Sequence, residues 1–222
     1  KDRVIATYHG VGAGTMIAIS DDPLLLNWEK VGGEAVIPVA KPGETLPYAV
    51  FDPFLWKEGE YYYMLTGGSH NTGPNKRRLR EEFLHRSKDL LNWEYMHPFL
   101  ENDRYNLVGD DGACPYFWPI GKDKHILLHY SHMSGGKYII GDYDTQRDKF
   151  VVSDGGDFNF GASNPGGVHA PSAAPLDNEN VITIFNMNPA KPTKGWNQIM
   201  TLPRQLSYKN NELFLIPAGD IE

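Results

Sequence analysis

The sequence has little cysteine, no long apolar run and no excess of positive charge. Cys114 is the only cysteine in 222 residues, which excludes an internal disulfide. No apolar run approaches the roughly 20 residues that a membrane-spanning helix requires. The net charge is −7, whereas surfaces that bind nucleic acids are strongly basic. We therefore expect neither a membrane nor a nucleic acid as a partner, and we interpret the mixed-charge run NKRRLREE at 75–82 as a solvated loop.

Helical periodicity, cofactor motifs and metal-ligand spacing are missing as well. No stretch keeps a 3.6-residue apolar period for three turns. None matches a phosphate-binding loop, a dinucleotide fingerprint or a serine-nucleophile elbow. On a strand, His125 and His129 would share a face and His132 would not, and no cysteine or carboxylate completes a convincing ligand set. We therefore expect no cofactor and no metal.

Turn-forming and aromatic residues, by contrast, are plentiful. The chain has 23 glycines, 16 prolines, 12 tyrosines, 10 phenylalanines and five tryptophans. Short runs rich in β-branched and aromatic residues, such as those at 60–68, 137–144 and 180–188, end in glycine, aspartate or asparagine. This pattern predicts an all-β chain.

One phrase occurs twice along the chain. SDDPLLLNWE at 20–29 and SKDLLNWE at 87–94 place Trp28 and Trp93 65 residues apart, and a third segment at 141–151 fills a similar slot. Self-similarity at a period of about 40–60 residues, with several strands in each period, is typical of a β-propeller. The alternative is a β-sandwich that contains two similar hairpins.

Five segments of the chain together form a recognisable pattern. They are DDPLLLNWEKVGGEAVIPV (21–39), FDPFLWKEGEYYYMLTGG (51–68), RSKDLLNWEY (86–95), ACPYFWPIG (113–121) and GWNQIMTLPRQLSY (195–208). In this order they resemble glycoside hydrolase family 32, the invertase, levanase and inulinase family. The resemblance implies a five-bladed propeller that acts on β-fructofuranosides of the sucrose, levan or inulin type. It also favours an extracellular or periplasmic location.

The resemblance further implies that the chain is a partial propeller of about three and a half blades in one domain, 1–222. The approximate blades are 1–47, 48–100, 101–155 and 156–222. The first blade of the family, which carries the nucleophile in an NDPNG motif, has no counterpart in this sequence. The ring would then be closed by a missing N-terminal blade or by a second chain.

Asp52 matches the second acidic residue of the family, which stabilises the transition state. Such a carboxylate faces the developing oxocarbenium charge from the central funnel. From the residues alone, an aspartate before Pro53 is equally well explained as a turn residue. The family has an arginine before this aspartate, whereas this chain has Phe51, so we expect substrate positioning to differ.

The acid/base glutamate of the family precedes Cys-Pro, and this chain has Ala113 there. Alanine cannot transfer a proton, so we consider Asp110 and Asp111 as a displaced acid. One of two neighbouring carboxylates can have a raised pKa, which suits a general acid. The alternatives are an acidic turn before a strand and a binding role.

Aromatic and imidazole side chains are the candidates for substrate binding. Aromatic rings can stack on sugars, although most aromatic residues of a propeller blade belong to its core. His169 could bind a hydroxyl group or carry a proton, or could simply be packed or exposed. The substrate-binding candidates are Phe51, Trp56, Tyr116, Trp118, His169 and Trp196. Because Phe51 and Ala113 replace functional residues of the family, a carbohydrate-binding propeller without hydrolytic activity is the alternative function, followed by a purely structural propeller.

Overall fold

The fold consists of short β-strands that follow one another along the chain. The computed structural model describes residues 3–40, 44, 46, 48–158, 167–188 and 193–219. Within these residues the only helix is the 3-10 turn Pro74–Lys76, and no helix is long and apolar enough to cross a bilayer. The strands are β1 (Val4–Gly10), β2 (Gly14–Ser20), β3 (Glu29–Lys30), β4 (Ile37–Pro38), β5 (Tyr48–Glu58), β6 (Tyr61–His70), β7 (Leu79–Ser87), β8 (Glu94–Pro98), β9 (Leu100–Glu101), β10 (Ala113–Ile120), β11 (Lys124–Ser131), β12 (Gly135–Asp144), β13 (Lys149–Asp157), β14 (Gly167–Pro175), β15 (Asn180–Asn188), β16 (Ile199–Met200), β17 (Arg204–Lys209) and β18 (Glu212–Pro217). The predicted all-β class is confirmed.

The strands form four sheets, each from a continuous part of the chain. Sheet 1 has the order β1-β2-β3, with β4 also paired to β2, and sheet 2 is β5-β6-β7-β8. Sheet 3 is β10-β11-β12-β13-β9, in which β9 runs parallel to β13, and sheet 4 is β14-β15-β17-β18 with β16 paired to β15. All other pairings are antiparallel, so each sheet is the up-and-down meander of which propeller blades are made.

The sheets belong to two compact units, each with its own apolar core. Sheets 1 and 2 lie in Lys1–Phe99, and sheets 3 and 4 in Leu100–Glu222. In each unit, buried side chains from both sheets pack together, because a sheet cannot bury its apolar face alone. The first core contains Ile17, Ile37, Val50, Met64, Phe83 and Leu90, and the second contains Ile120, Ile126, Leu128, Ile140, Val181, Leu206 and Tyr208.

The repeated phrase forms the same turn twice. Asp22 and Asp89 each accept two backbone N–H bonds from the turn, at 2.8–3.1 Å. The indoles of Trp28 and Trp93 each donate to a backbone carbonyl three residues earlier, at 2.8 and 3.0 Å. Asp144 accepts two backbone N–H bonds in the same way between β12 and β13. Because the turn follows β2 in sheet 1 and β7 in sheet 2, these two strands correspond. Among the described residues, β1, β2 and β3 are thus the counterparts of β6, β7 and β8, and sheet 1 has no counterpart of β5.

The first strands of sheets 2, 3 and 4 carry the same β-bulge. Asp52, Cys114 and Ala170 have φ values of 47°, 51° and 47°, and each is followed by proline. In each case the strand contains one more residue than its partner at this point. A residue before proline normally has extended backbone, so a left-handed conformation here is strained. Such bulges re-aim side chains and are common beside functional sites, which directs attention to these three positions.

Candidate functional site

Asp52 lies on the bulge of β5, in the first unit. Phe51 pairs with Gly67 and Pro53 with Thr66, so Asp52 is the extra residue of the bulge. Its side chain is half-buried. The neighbouring strand approaches closely here, because a Cβ on Gly68 would lie 2.5 Å from a backbone oxygen of β5. Asp52 therefore lies on a strand that packs tightly against its neighbour, and not in a loop.

Asp110 is the centre of a buried hydrogen-bond network in the second unit. Its Oδ1 accepts the hydroxyls of Ser131 and Ser134 at 2.5 and 2.6 Å, and its Oδ2 accepts the Leu107 N–H at 2.7 Å. The Lys137 ammonium lies 3.5 Å from Oδ2, and both side chains are almost fully buried. Burial alone would raise the pKa of Asp110, but these hydrogen bonds and the lysine charge outweigh it and lower the pKa. Asp110 is therefore held as a carboxylate.

Asp111 is arranged differently, because its partner reaches the surface. The backbone N–H of His132 donates to Oδ1 at 3.1 Å, and the His132 Nδ1 lies 2.9 Å from Oδ2. The Asp111 side chain is 7% exposed, whereas that of His132 is 64% exposed. A buried carboxylate thus orients an imidazole whose Nε2 edge is turned away from the carboxylate. This is the arrangement of an imidazole set up for proton exchange.

Tyr130 and His169 surround this carboxylate–imidazole pair. The Tyr130 ring lies 5.3 Å from the His132 ring and 5.1 Å from the His169 ring. Burial, then the charge of His132, lowers the pKa of His169, whose Nε2 is buried without a hydrogen-bond partner among the described residues. Burial raises the pKa of Tyr130, with smaller contributions from Asp111 and Cys114. These groups share one electrostatic environment at the bulges of β10 and β14, where Ala113 pairs with Tyr130.

Two of the aromatic residues predicted to bind the substrate, Trp56 and Trp118, pack against other parts of the protein. Trp56 stacks on Phe54 and Tyr63, with ring centroids 5.9 and 5.3 Å away. The Trp118 indole donates to the backbone carbonyl of Ala173 at 3.1 Å and packs against the second core. Both side chains therefore contribute to packing, which accounts for their half-buried state without a ligand.

The other predicted binding residues are more accessible. Tyr116 lines a shallow cleft of about 250 Å³ in sheets 3 and 4. Trp196 is 48% exposed, and its carbonyl accepts the Thr193 hydroxyl. Phe51 is half-buried on β5. The roles of all these residues stay predictions.

No group of three or more histidine, cysteine, aspartate or glutamate side chains could hold a metal ion in the described parts of the chain. His125 stacks on Phe117 at 4.9 Å, and His129 lies 3.0 Å from the Asn106 side-chain oxygen. The three histidines considered in the sequence therefore have separate surroundings.

Sequence reasoning missed the partners of the aspartate pair. Ser131, His132 and Ser134 all come from the end of β11 and the turn after it. The signal was present, since a cluster of polar residues follows the apolar run of β11 directly. Only the pairing of β11 with β10 shows that this cluster faces the residues before Ala113.

Comparison with known proteins assigns the chain to a family. The family model described as the glycosyl hydrolases family 32 N-terminal domain matches residues 5–217. A sucrose-6-phosphate hydrolase from Zymomonas mobilis is 25% identical over 192 residues, which cover 77% of this chain and 36% of that protein. Fructan 1-exohydrolase w1 from Triticum aestivum is 28% identical over 233 residues, covering 90% of this chain and 36% of that protein.

A solved structure is similar along the whole chain. The GH32 β-fructofuranosidase BmSUC1 of Bombyx mori has a TM-score of 0.73 and 21% identity, over 100% of this chain and 49% of that one. The predicted propeller fold is thereby confirmed, with four blade-like sheets present. The chain spans between about a third and a half of the length of these proteins.

Proposed function

Since the chain belongs to glycosyl hydrolase family 32, we propose that it is part of a glycoside hydrolase that acts on β-fructofuranosides of the sucrose, levan or inulin type. The observation that carries this proposal is the family match over 5–217, within which Asp52 lies on a strained bulge. The names of the sucrose-6-phosphate hydrolase and the fructan exohydrolase point to the same class of substrate.

Asp52 stabilises the transition state in this proposal. Breaking a fructosidic bond produces oxocarbenium-like positive charge on the sugar ring, and a fixed carboxylate lowers the energy of that charge. A side chain held by strained, tightly packed backbone meets the requirement that the group need not reorganise during the reaction. Because Asp52 is half-buried, its charge interacts more strongly with the transition state than the same charge would in bulk water.

Proton transfer to the leaving oxygen is assigned to the Asp111–His132 pair. Asp111 is buried and both its oxygens face His132, so it acts by orienting the ring and stabilising the imidazolium. As the glycosidic C–O bond breaks, the exposed ring gives a proton to the leaving oxygen. The neutral ring then takes a proton from the water that forms the new C–O bond to the fructosyl carbon. Asp110 has a different role, because its hydrogen bonds and lowered pKa suit a carboxylate that fixes the loop rather than one that donates a proton.

A carbohydrate-binding protein without hydrolytic activity is the second candidate. It is favoured by Ala113, which is 1% exposed at the position before Cys-Pro and offers no proton. Phe51 supports the same alternative, because it cannot make the polar contacts of an arginine. The two candidate functions predict opposite results for turnover, so one assay distinguishes them.

The test is fructose release from sucrose, inulin and levan by the full-length protein. We expect release from at least one of the three, and a loss of about 100- to 10,000-fold in His132→Gln, as for removal of a general acid or base. Asp111→Asn should lose activity as well, because the carboxylate that orients the His132 ring is removed.

Controls and a binding measurement complete this experiment. His97→Gln replaces a half-buried histidine of the first unit and should leave the rate unchanged. Binding of inulin or levan without any fructose release in the wild type would support the second candidate. Full activity in His132→Gln would remove the imidazole from the mechanism.

A further inference from the structure

A cleft of about 440 Å³ lies beside the bulged strand of the first unit. Its walls include Tyr48 and Val50 from β5 and Ser69 from β6. Val50 is two residues before Asp52, and a strand rises about 3.3 Å per residue. The lining residue Val50 therefore lies about 7 Å along the strand from Asp52.

Arg78 is the principal cation of this cleft. Its Nε donates to the Ser69 Oγ at 2.8 Å, which fixes the plane of the guanidinium against the wall. In the part of the chain that the structure describes, Arg78 forms no ion pair with a carboxylate, whereas Arg3, Arg86 and Arg147 each do. The Arg78 charge thus lies in the cleft without a matching ion pair among the described residues.

The other polar groups of the cleft complement an anionic sugar. Asn71 adds an amide donor, and the Ser69 hydroxyl accepts from Arg78 and can donate its own hydrogen. His70 also lines the cleft, and its Nε2 lies 3.1 Å from the Glu81 carboxylate. Glu44 is exposed and also lines the cleft.

We propose that this cleft binds the phosphate group of a phosphorylated β-fructofuranoside, with Arg78 as the phosphate-binding residue. An arginine fork held in one plane matches two phosphate oxygens, and serine and amide donors reach the third. This proposal rests on the proposed function, because the sugar that carries the phosphate is the substrate assigned to Asp52. It also changes the interpretation of the run at 75–82: Lys76, Arg77 and Arg78 are all exposed, but of the three only Arg78 lines the cleft.

The test compares sucrose 6-phosphate with sucrose as substrates of the full-length protein. Replacing a charged hydrogen-bond donor to phosphate weakens the interaction by roughly 10- to 100-fold. Arg78→Gln should therefore lower the ratio of kcat/KM for sucrose 6-phosphate to kcat/KM for sucrose by that factor. Arg77→Gln is the matched control, since it removes the same charge one residue away, and it should leave the ratio unchanged. An unchanged ratio in Arg78→Gln, or an equal fall in both variants, would overturn the proposal.

Calorimetric binding separates this proposal from the hydrolytic one, because it needs no turnover. We expect sucrose 6-phosphate to bind the wild type more tightly than inorganic phosphate or sucrose, and Arg78→Gln to lose about 10-fold or more in affinity for the phosphate ester. Binding of this kind without hydrolysis of either sugar would refute the proposed activity and keep the phosphate site. Inorganic phosphate that binds as tightly as the ester would show a free-phosphate site and overturn the substrate class.

Discussion

Replacing Asp110 by asparagine separates a structural carboxylate from a catalytic one. Asparagine keeps the shape but can accept hydrogen bonds on one atom only. The Ser131 and Ser134 hydroxyls and the Leu107 N–H donate to opposite oxygens of Asp110, so at least one buried donor loses its acceptor, at a cost of about 1–3 kcal/mol. The substitution also removes one of two carboxylates near the buried Lys137 ammonium, leaving Asp157 at 2.6 Å.

Together these losses amount to about 3 kcal/mol, since breaking a buried ion pair alone costs roughly 3–5 kcal/mol and Asp157 retains part of the pairing. For a chain of this size we expect a fall in Tm of about 6–12 °C. The measurement is thermal unfolding of the wild type, Asp110→Asn and Asp111→Asn under identical conditions. Asp111→Asn should shift Tm by less, because its partner His132 is mostly exposed and can turn to solvent.

Fructose release measured below the unfolding range completes the comparison. We expect Asp110→Asn to keep most of its activity there, whereas Asp111→Asn loses it. An Asp110→Asn variant with the Tm of the wild type and no turnover would refute this reasoning, because Asp110 would then act in the chemistry and not in the fold.

Two further substitutions test the packing of the first unit. Burial lowers the pKa of His85 to about 4 from its ordinary value of 6.5. As the pH falls, the unfolded chain therefore takes up a proton at His85 before the folded chain does. The contribution of the neutral His85 to stability is complete above pH 6.5 and is lost towards pH 4. Between pH 7.5 and pH 5 this amounts to about 2 kcal/mol, and His85→Phe should reduce the pH dependence of Tm by that share; an unchanged dependence would contradict it. Gly68→Ala should lower the free energy of unfolding by about 1–3 kcal/mol, because the added Cβ would lie 2.5 Å from the Ala49 oxygen and from the Phe83 ring; a wild-type urea midpoint would show that the strands can separate there.

Local patterns made the fold predictable from the sequence. The phrase shared by 20–29 and 87–94 carries its own turn, because the aspartate, the leucine and the tryptophan bond within a few residues of each other. Such a turn forms in the same way wherever the phrase occurs, so its repetition reports a repeated blade. The all-β class followed from the strand-like runs for the same reason.

The bulges could not be predicted in this way. Residues before proline are normally extended, and the sequence gives no reason why Cys114 or Ala170 should have a left-handed conformation. The conformation is imposed by pairing, since each first strand must fit one extra residue against its neighbour. Asp52 was therefore singled out for its chemistry, whereas its strained backbone became visible only in the structure.

The surroundings of the candidate residues also depended on long-range pairing. Asp110 and Asp111 are adjacent in sequence and equally buried, yet they meet different partners, because Ser131 and His132 point to opposite sides at the end of β11. No local rule distinguishes the two aspartates. Trp118 illustrates the same limit, since an indole on a strand can pack against a neighbouring sheet or line a cavity with equal propensity.

The central claim is that Asp52 takes part in cleaving a fructosidic bond, and its most direct test is the turnover of Asp52→Asn. Asparagine tolerates the φ of 47° that Asp52 adopts, so the variant should fold. Asp148→Asn is the matched control, because Asp148 also has a positive φ, of 54°, in a turn between β12 and β13. We expect fructose release to fall at least about 100-fold in Asp52→Asn and to stay at the wild-type rate in Asp148→Asn. Equal release by Asp52→Asn and the wild type would contradict the account.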